Sequence, residues 1–241
     1  GKTGKGSALP NLRDGDEVIA VLCSDLHLSA KAPIARAEED WWAVQRRYLK
    51  QLSDLVPQWD VPIICGGDIF DRWNSPPELI NFCLDHLPEM WAVAGQHDLP
   101  YHSMGEIRKS AFWTLVQARR IKMLGGGSVI FSVGNHHNCL VAYGSSWGEP
   151  IQKVQHIDPD LFPDMKDERI HLAVIHRYCW IPGKEHPHAP ESGRLKKVIK
   201  ELLNFNAALF GDNHRSFQVG NVFNPGSFMR RKLDEIKHEP C

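Results

Sequence analysis

The stretch Ile64-Cys65-Gly66-Gly67-Asp68-Ile69-Phe70-Asp71 decides the reading of this chain. Val61-Pro62-Ile63-Ile64-Cys65 is a short, apolar, β-branched run, the pattern of a buried strand. Two glycines stop it and leave Asp68 at its carboxyl end. In an open α/β sheet ligands gather at that edge, and a carboxylate on a glycine-bounded turn is placed to touch a cation. A lone Gly-Asp would equally well cap the next helix. The two readings separate on whether metal-ligand residue types recur after other apolar runs.

They do recur. Upstream, Val18-Ile19-Ala20-Val21-Leu22-Cys23 reads as a strand and runs into Ser24-Asp25-Leu26-His27-Leu28. Downstream, Met90-Trp91-Ala92-Val93-Ala94 ends in Gly95-Gln96-His97-Asp98, and Ile170-His171-Leu172-Ala173-Val174-Ile175 delivers His176. Ala207-Ala208-Leu209-Phe210 ends in Gly211-Asp212-Asn213-His214. An Asp-x-His pair leaving a strand sends both side chains to the same side, so a carboxylate and an imidazole can share one ion. Each segment alone has a plain alternative, a cap or a surface histidine; their joint occurrence favours a metal site.

Between these runs, residues 38–56 carry an apolar stripe (Trp41, Val44, Tyr48, Leu52, Leu55) at helical spacing. Pro76-Pro77 opens a second helix to Leu87. A third is expected over residues 107–118 and a fourth over residues 194–203. Short strands are expected near residues 121–124, 129–133, 139–143, 217–219 and 222–223, with glycine turns between them, and residues 144–169 read as surface connection. Strand and helix alternate in the first half, which implies a parallel sheet. Residues 1–16 read as a flexible leader and residues 17–241 as one domain. The leader's Gly1-Lys2-Thr3-Gly4-Lys5-Gly6-Ser7 fails the phosphate-loop spacing and follows no strand.

Composition narrows the function classes. The 241 residues are 42% hydrophobic and 24% charged with a net charge of -1, so any nucleic-acid binding must use a local patch. No apolar run reaches transmembrane length and no secretory pattern opens the chain, which argues against a membrane partner. Six scattered cysteines, without a C-x-x-C pair, fit reduced thiols and a cytoplasmic setting.

The ordered blocks D-x-H, G-D, G-Q-H-D, H and G-D-x-H resemble the calcineurin-like metallophosphoesterases across nearly the whole chain. Leu28, the Gly-Gly-Asp-Ile-Phe-Asp block and Asn224-Pro225-Gly226-Ser227 look most like the SbcD-type DNA repair exonucleases. The resemblance implies an α/β fold, a four-layer α/β/β/α sandwich of two mixed sheets flanked by helices. It implies two divalent metal ions, Mn²⁺ first and Mg²⁺ also suited to an oxygen-rich second site. Asp25, His27, Asp68 and His214 would hold one ion; Asp68, Gln96, His176 and Asp212 would hold the other. A metal-bridging hydroxide would then attack a phosphodiester while His97 assists the leaving group, its ring oriented by Asp98. Two departures fall on the second ion: Gln96 stands where the family has Asn, and Asp212 where it has His.

Gly134-Asn135-His136-His137 contains a literal G-N-H but lies between short strands, where it reads as a hairpin turn. Arg177, His186 and His188 are candidate substrate contacts, and Asp71 a candidate to orient a ligand. Arg119-Arg120, Lys196-Lys197-Lys200 and Arg230-Arg231-Lys232, with Trp73 as a stacking platform, could form a DNA track. The leading expectation is a nuclease acting on DNA. The alternatives are a hydrolase of nucleotides, cyclic nucleotides or other small phosphoesters, and a non-catalytic scaffold on the same fold. The chain shows no segment matching the SbcD capping domain or an arm for its ATPase partner, and a homodimer stays open.

Overall fold

The computed structural model describes residues 16–34, 40–133, 138–155 and 169–229. Its first half alternates strand and helix: β1 (Val21–Cys23), α1 (Trp41–Trp59), β2 (Ile63–Cys65), α2 (Pro77–His86), β3 (Met90–Ala92), α3 (Ala111–Gln117) and β4 (Ile121–Met123). These strands pair in parallel in the order β1-β2-β3-β4, with Cys23 opposite Cys65 and Cys65 opposite Ala92. The second half supplies β5 (Ser128–Val133), β6 (Asn138–Ser145), β7 (Arg169–His176), α4 (Leu195–Val198), β8 (Ala207–Gly211), β9 (Phe217–Val219) and β10 (Val222–Asn224). They form a sheet ordered β5-β6-β7-β8-β10-β9, parallel at its centre and antiparallel at both edges.

Three apolar clusters set the layers. Val21, Cys23, Ile63, Cys65, Met90 and Ala92 pack with Trp41, Val44, Leu79, Phe82, Phe112 and Leu115, so α1, α2 and α3 cover one face of the first sheet. The alternate residue Ile64 turns to the other face and meets Leu140, Ala142, Leu172, Val174 and Leu209 of the second sheet. The outer face of that sheet, Ala173, Ile175, Ala208 and Phe210, is covered by Leu195, Val198 and Leu202. The period of two along each strand thus serves two cores at once. The expected four-layer sandwich is present, and of its two sheets the second is the mixed one.

Several boundaries move for local reasons. Asp40 caps α1 by accepting the Ala43 N–H at 3.2 Å, and the helix ends at Asp60, whose φ is 50°. The helix expected over residues 107–118 is divided at Ser110: a 3₁₀ segment, Met104–Lys109, precedes it, and its Oγ accepts the Trp113 N–H at 3.1 Å to begin α3. The fourth helix is a single α-turn followed by 3₁₀. Gly134-Asn135-His136-His137, Arg230-Arg231-Lys232 and most of the expected leader lie outside the described residues. Among the described residues no helix is long and apolar enough to cross a membrane.

Candidate metal centre

Every predicted ligand lies at the carboxyl end of a parallel strand, and the two sheets bring those ends together. The segments after β1 and β2 run side by side: Asp25 N–H donates to Gly67 O at 3.0 Å, His27 N–H to Asp68 O at 2.9 Å and Leu28 N–H to Ile69 O at 2.9 Å. This extra pairing needs unusual backbone. Asp25 (φ 52°), His27 (φ 46°), Asp68 (φ 52°) and Asp212 (φ 83°) all sit in the left-handed region. Each such residue costs roughly 1–3 kcal/mol, and such strain gathers at functional sites. Gly95 is required here because a Cβ would strike the Asp68 carboxylate.

Asp25, His27 and Asp68 are buried, as is His176. The His27 and His214 Nε2 atoms face each other at 3.0 Å. Two nitrogens bound at about 2.1 Å to adjacent positions on one ion stand about 3 Å apart. Asp25, His27 and His214 bring one ligand atom each within 4.8 Å of one another, as do Asp25, Asp68 and His176. Gln96 and Asp212 adjoin this second group: Gln96 Nε2 donates to Asp212 Oδ1 at 2.7 Å, and its Oε1 lies 2.7 Å from His176 Nε2.

Asp25 belongs to both groups, and Asp68 lies between their histidines His27 and His176. The Asp68 Oδ1 accepts the His97 N–H at 2.9 Å. Its Oδ2 is buried and accepts no hydrogen bond among the described residues, 3.7 Å from His27 Nε2 and 3.5 Å from His176 Nε2. A buried carboxylate oxygen left without a donor costs free energy unless a cation meets it. The donor set, carboxylates and imidazoles with one amide oxygen, suits divalent cations, and the residues fit the group the sequence pattern implies.

The charges behave accordingly. Burial opposes ionisation of Asp68, but the His176 and His27 rings hold its carboxyl well below the usual carboxylate range. Burial likewise opposes charge on His176, yet the carboxylates of Asp68, Asp25 and Asp212 lift it to about 10. Both His176 nitrogens face carbonyl oxygens, Gly66 O at 2.6 Å and Gln96 Oε1 at 2.7 Å. Burial pushes Asp25 up to about 6 against the pull of His176 and His214, while Ser24 Oγ donates to its Oδ2 at 2.5 Å.

His97 is exposed at the mouth of the cluster, its ring centroid 5.0 Å from that of His27. Asp98 does not orient that ring, contrary to expectation. Its buried carboxylate accepts the N–H groups of Ile69 (3.2 Å), Phe70 (3.0 Å) and Gly95 (3.0 Å), tying the segment after β3 to the one after β2. The partner of His97 Nδ1 is the Asp71 carbonyl at 2.9 Å. Sequence reading gave no individual role to Ser24, Asn213 or Asn224. Asn213 Nδ2 donates to Cys179 O at 2.8 Å and Asn224 Nδ2 to Asn213 O at 2.8 Å, which fixes the turn carrying Asp212 and His214. The signal for Asn224 was present in its Asn-Pro-Gly-Ser setting.

The substrate candidates fare differently. Arg177 is paired with Glu201 at 2.9 Å. The His186 N–H donates to the Tyr178 hydroxyl at 2.7 Å and the His188 N–H to His186 Nδ1 at 3.2 Å, so both residues are tied within their own exposed loop. Arg120 donates to Leu84 O at 2.6 Å and precedes β4, at the amino end of a parallel sheet whose carboxyl end holds the cluster. Arg119-Arg120 therefore cannot belong to a continuous track through the site. Beside His97 opens a cavity of about 340 Å³ lined by Gln96, His97, Asp71, Arg72, Trp73 and Tyr101 among others.

Among solved structures, the fold is similar to that of a Staphylococcus aureus protein named "Putative 5'-Nucleotidase", at 14% identity and a TM-score of 0.52. The likeness covers 86% of this chain and 48% of that one, so this chain spans about half the length of that neighbour. Similarity also extends to the calcineurin-like phosphoesterase YfkN of Bacillus subtilis (12% identity, TM-score 0.48, 86% of this chain and 80% of that one). It extends further to the phosphopantetheinyl hydrolase of Mycobacterium tuberculosis (12% identity, TM-score 0.48, 92% and 98%). The first likeness is one of fold alone. No curated protein matches the chain in sequence. The calcineurin-like phosphoesterase family, however, matches residues 20–216, from the edge of β1 past His214, and the chain belongs to that family.

Proposed function

We propose that this protein is a dimetal phosphodiesterase acting on DNA. The observation that carries the hydrolytic reading is the buried Asp68 Oδ2, which accepts no hydrogen bond among the described residues and lies between the His27 and His176 nitrogens. Asp25, His27, Asp68 and His214 would hold one ion, and Asp68, Gln96, His176 and Asp212 the other. Three oxygen donors and one nitrogen at the second position favour Mn²⁺ or Mg²⁺ there. An acidic cluster without cations would repel a phosphodiester; two dications reverse that field. When bound, the ions supply Lewis-acid polarisation of the phosphoryl oxygens and a nucleophile at neutral pH. His97 holds the leaving side: with Nδ1–H donated to the Asp71 carbonyl, its Nε2 is the atom that exchanges a proton with the departing oxygen. Asp98 holds the backbone that carries His97 and Asp68 in register.

The choice of DNA rests on the SbcD-like blocks around Asp25, Asp68 and Asn224. The cavity of about 340 Å³ favours a second reading, a nucleotide or cyclic nucleotide as substrate. Purified protein assayed with Mn²⁺, Mg²⁺ or EDTA, on single- and double-stranded DNA and on bis-p-nitrophenyl phosphate, separates them. DNA cleavage with Mn²⁺, reduced about 10²–10⁴-fold in His97→Ala at unchanged metal content, is expected. Turnover of the small diester with DNA intact selects the second reading. Silence on every substrate, with fewer than two ions bound, overturns both.

A further inference from the structure

The cavity beside His97 has an aromatic wall that the hydrolytic reading does not use. Trp73 and Tyr101 line it with ring centroids 6.1 Å apart and planes inclined by 43°. Tyr101 is 79% exposed, while its neighbours Leu99 and Pro100 are buried. The backbone holds it there: Tyr101 (φ 54°) and His102 (φ 56°) are consecutive non-glycine residues in the left-handed region. Their turn is closed by His102 N–H to Leu99 O at 3.1 Å and Ser103 N–H to Pro100 O at 3.0 Å. Trp73 is fixed from the other side, its carbonyl accepting the Ala111 N–H at the start of α3 at 2.8 Å.

We propose that this wall is a nucleobase subsite, in which the base of the nucleotide bearing the reacting phosphate stacks on Tyr101 beside Trp73. The inference rests on the phosphodiesterase reading and adds the part of the substrate that reading leaves unbound. An aromatic face accepts any of the bases through its π-surface. The cavity of about 340 Å³ has the volume for one nucleoside. Arg72, Asn74 and His102 interrupt its apolar lining, which an acyl chain would not match but the polar edges and sugar of a nucleoside do. Gln96 and His97 belong both to this cavity and to the metal cluster, so a base seated here keeps its own phosphate at the ligands.

The test is equilibrium binding to Mn²⁺-loaded His97→Ala protein, a background in which ligand is not consumed. Calorimetry compares dAMP with base-free deoxyribose 5-phosphate. We expect dAMP to bind about tenfold or more tightly, the preference to collapse in Tyr101→Ala and to return in Tyr101→Phe, which keeps the ring. Equal binding of the two ligands, binding of neither, or a preference that survives Tyr101→Ala overturns the subsite. Tyr101 is exposed, so its variants should keep the fold, checked by circular dichroism. A second pair of probes, an oligonucleotide with a terminal base and one with a terminal abasic residue, identifies the source: a base preference there assigns the subsite to a DNA end, and a preference confined to dAMP assigns it to free nucleotides. If wild type hydrolyses no phosphodiester yet dAMP is still preferred through Tyr101, the phosphodiesterase reading fails and the subsite stands. Hydrolysis without base preference overturns the subsite and leaves the phosphodiesterase reading standing.

Discussion

The two residues that depart from the family pattern contact each other. Gln96 is one methylene longer than the Asn it replaces, and Asp212 is shorter than the His it replaces. The longer amide reaches across the space the shorter acid leaves, donating to Asp212 Oδ1 while presenting its carbonyl oxygen to His176. They act as one exchanged pair, and a double-mutant cycle measures it. Gln96→Asn alone withdraws the amide from both partners. Asp212→His alone sets an imidazole against the Gln96 amide. Each should weaken binding of one of the two ions, and the double variant should recover affinity, with a coupling of about 0.5–3 kcal/mol. Asp212 stands at φ 83°, which Asp tolerates better than His. That backbone cost enters the single and the double variant alike and cancels from the cycle. Metal content and titration calorimetry give the readout; strictly additive losses would show that the two side chains act separately.

At the scale of elements, the buried thiols report on the packing of helix against sheet. Cys83 of α2 lies in the cluster between the helices and the first sheet, and burial pushes its thiol from 9.0 up to about 12. The folded state therefore keeps a proton that the unfolded chain releases above pH 9. This contribution is fully present below pH 9 and is lost as pH rises toward 12, at about 1.4 kcal/mol per pH unit and on the order of 4 kcal/mol in all. Urea midpoints between pH 8 and pH 11 should fall more steeply for wild type than for Cys83→Ala, and parallel curves would refute the assignment. That α2 and its neighbours exist was legible in the sequence. Apolar runs marked β1, β2, β3, β7 and β8, and their polar ends marked the ligands, because a buried strand and a strand-end ligand are both local patterns. The division at Ser110 was not legible, since a serine within a helical stripe can cap or merely ride along. Nor was the Asp71 carbonyl as the partner of His97, because backbone atoms have no letter in the sequence.

At the scale of the molecule, the candidate metal ligands are drawn from the ends of both sheets. The alternation of strands and helices offers no means to divide the ten strands among the described residues between two sheets, because pairing partners lie far apart in sequence. The structure places Asp25, His27, Asp68 and Gln96 beyond the first sheet and His176, Asp212 and His214 at the end of the second. Apolar packing of Ile64 against Leu172, Val174 and Leu209 joins the sheets behind this edge, while the edge itself concentrates buried carboxylates. Cations bound there stabilise only the folded state, by about 2.7 kcal/mol for each ion at a free concentration of 100 times its Kd. In a chain of this size that corresponds to a rise in Tm of about 5–10 °C per ion. Scanning calorimetry of EDTA-treated protein with and without Mn²⁺ should show this rise. In Asp68→Asn the metal-dependent rise should vanish for both ions together, because Asp68 is the residue common to both proposed ligand sets. If that variant keeps one of two resolved increments, Asp68 serves a single ion; if it keeps the whole rise, the ions bind elsewhere on the molecule.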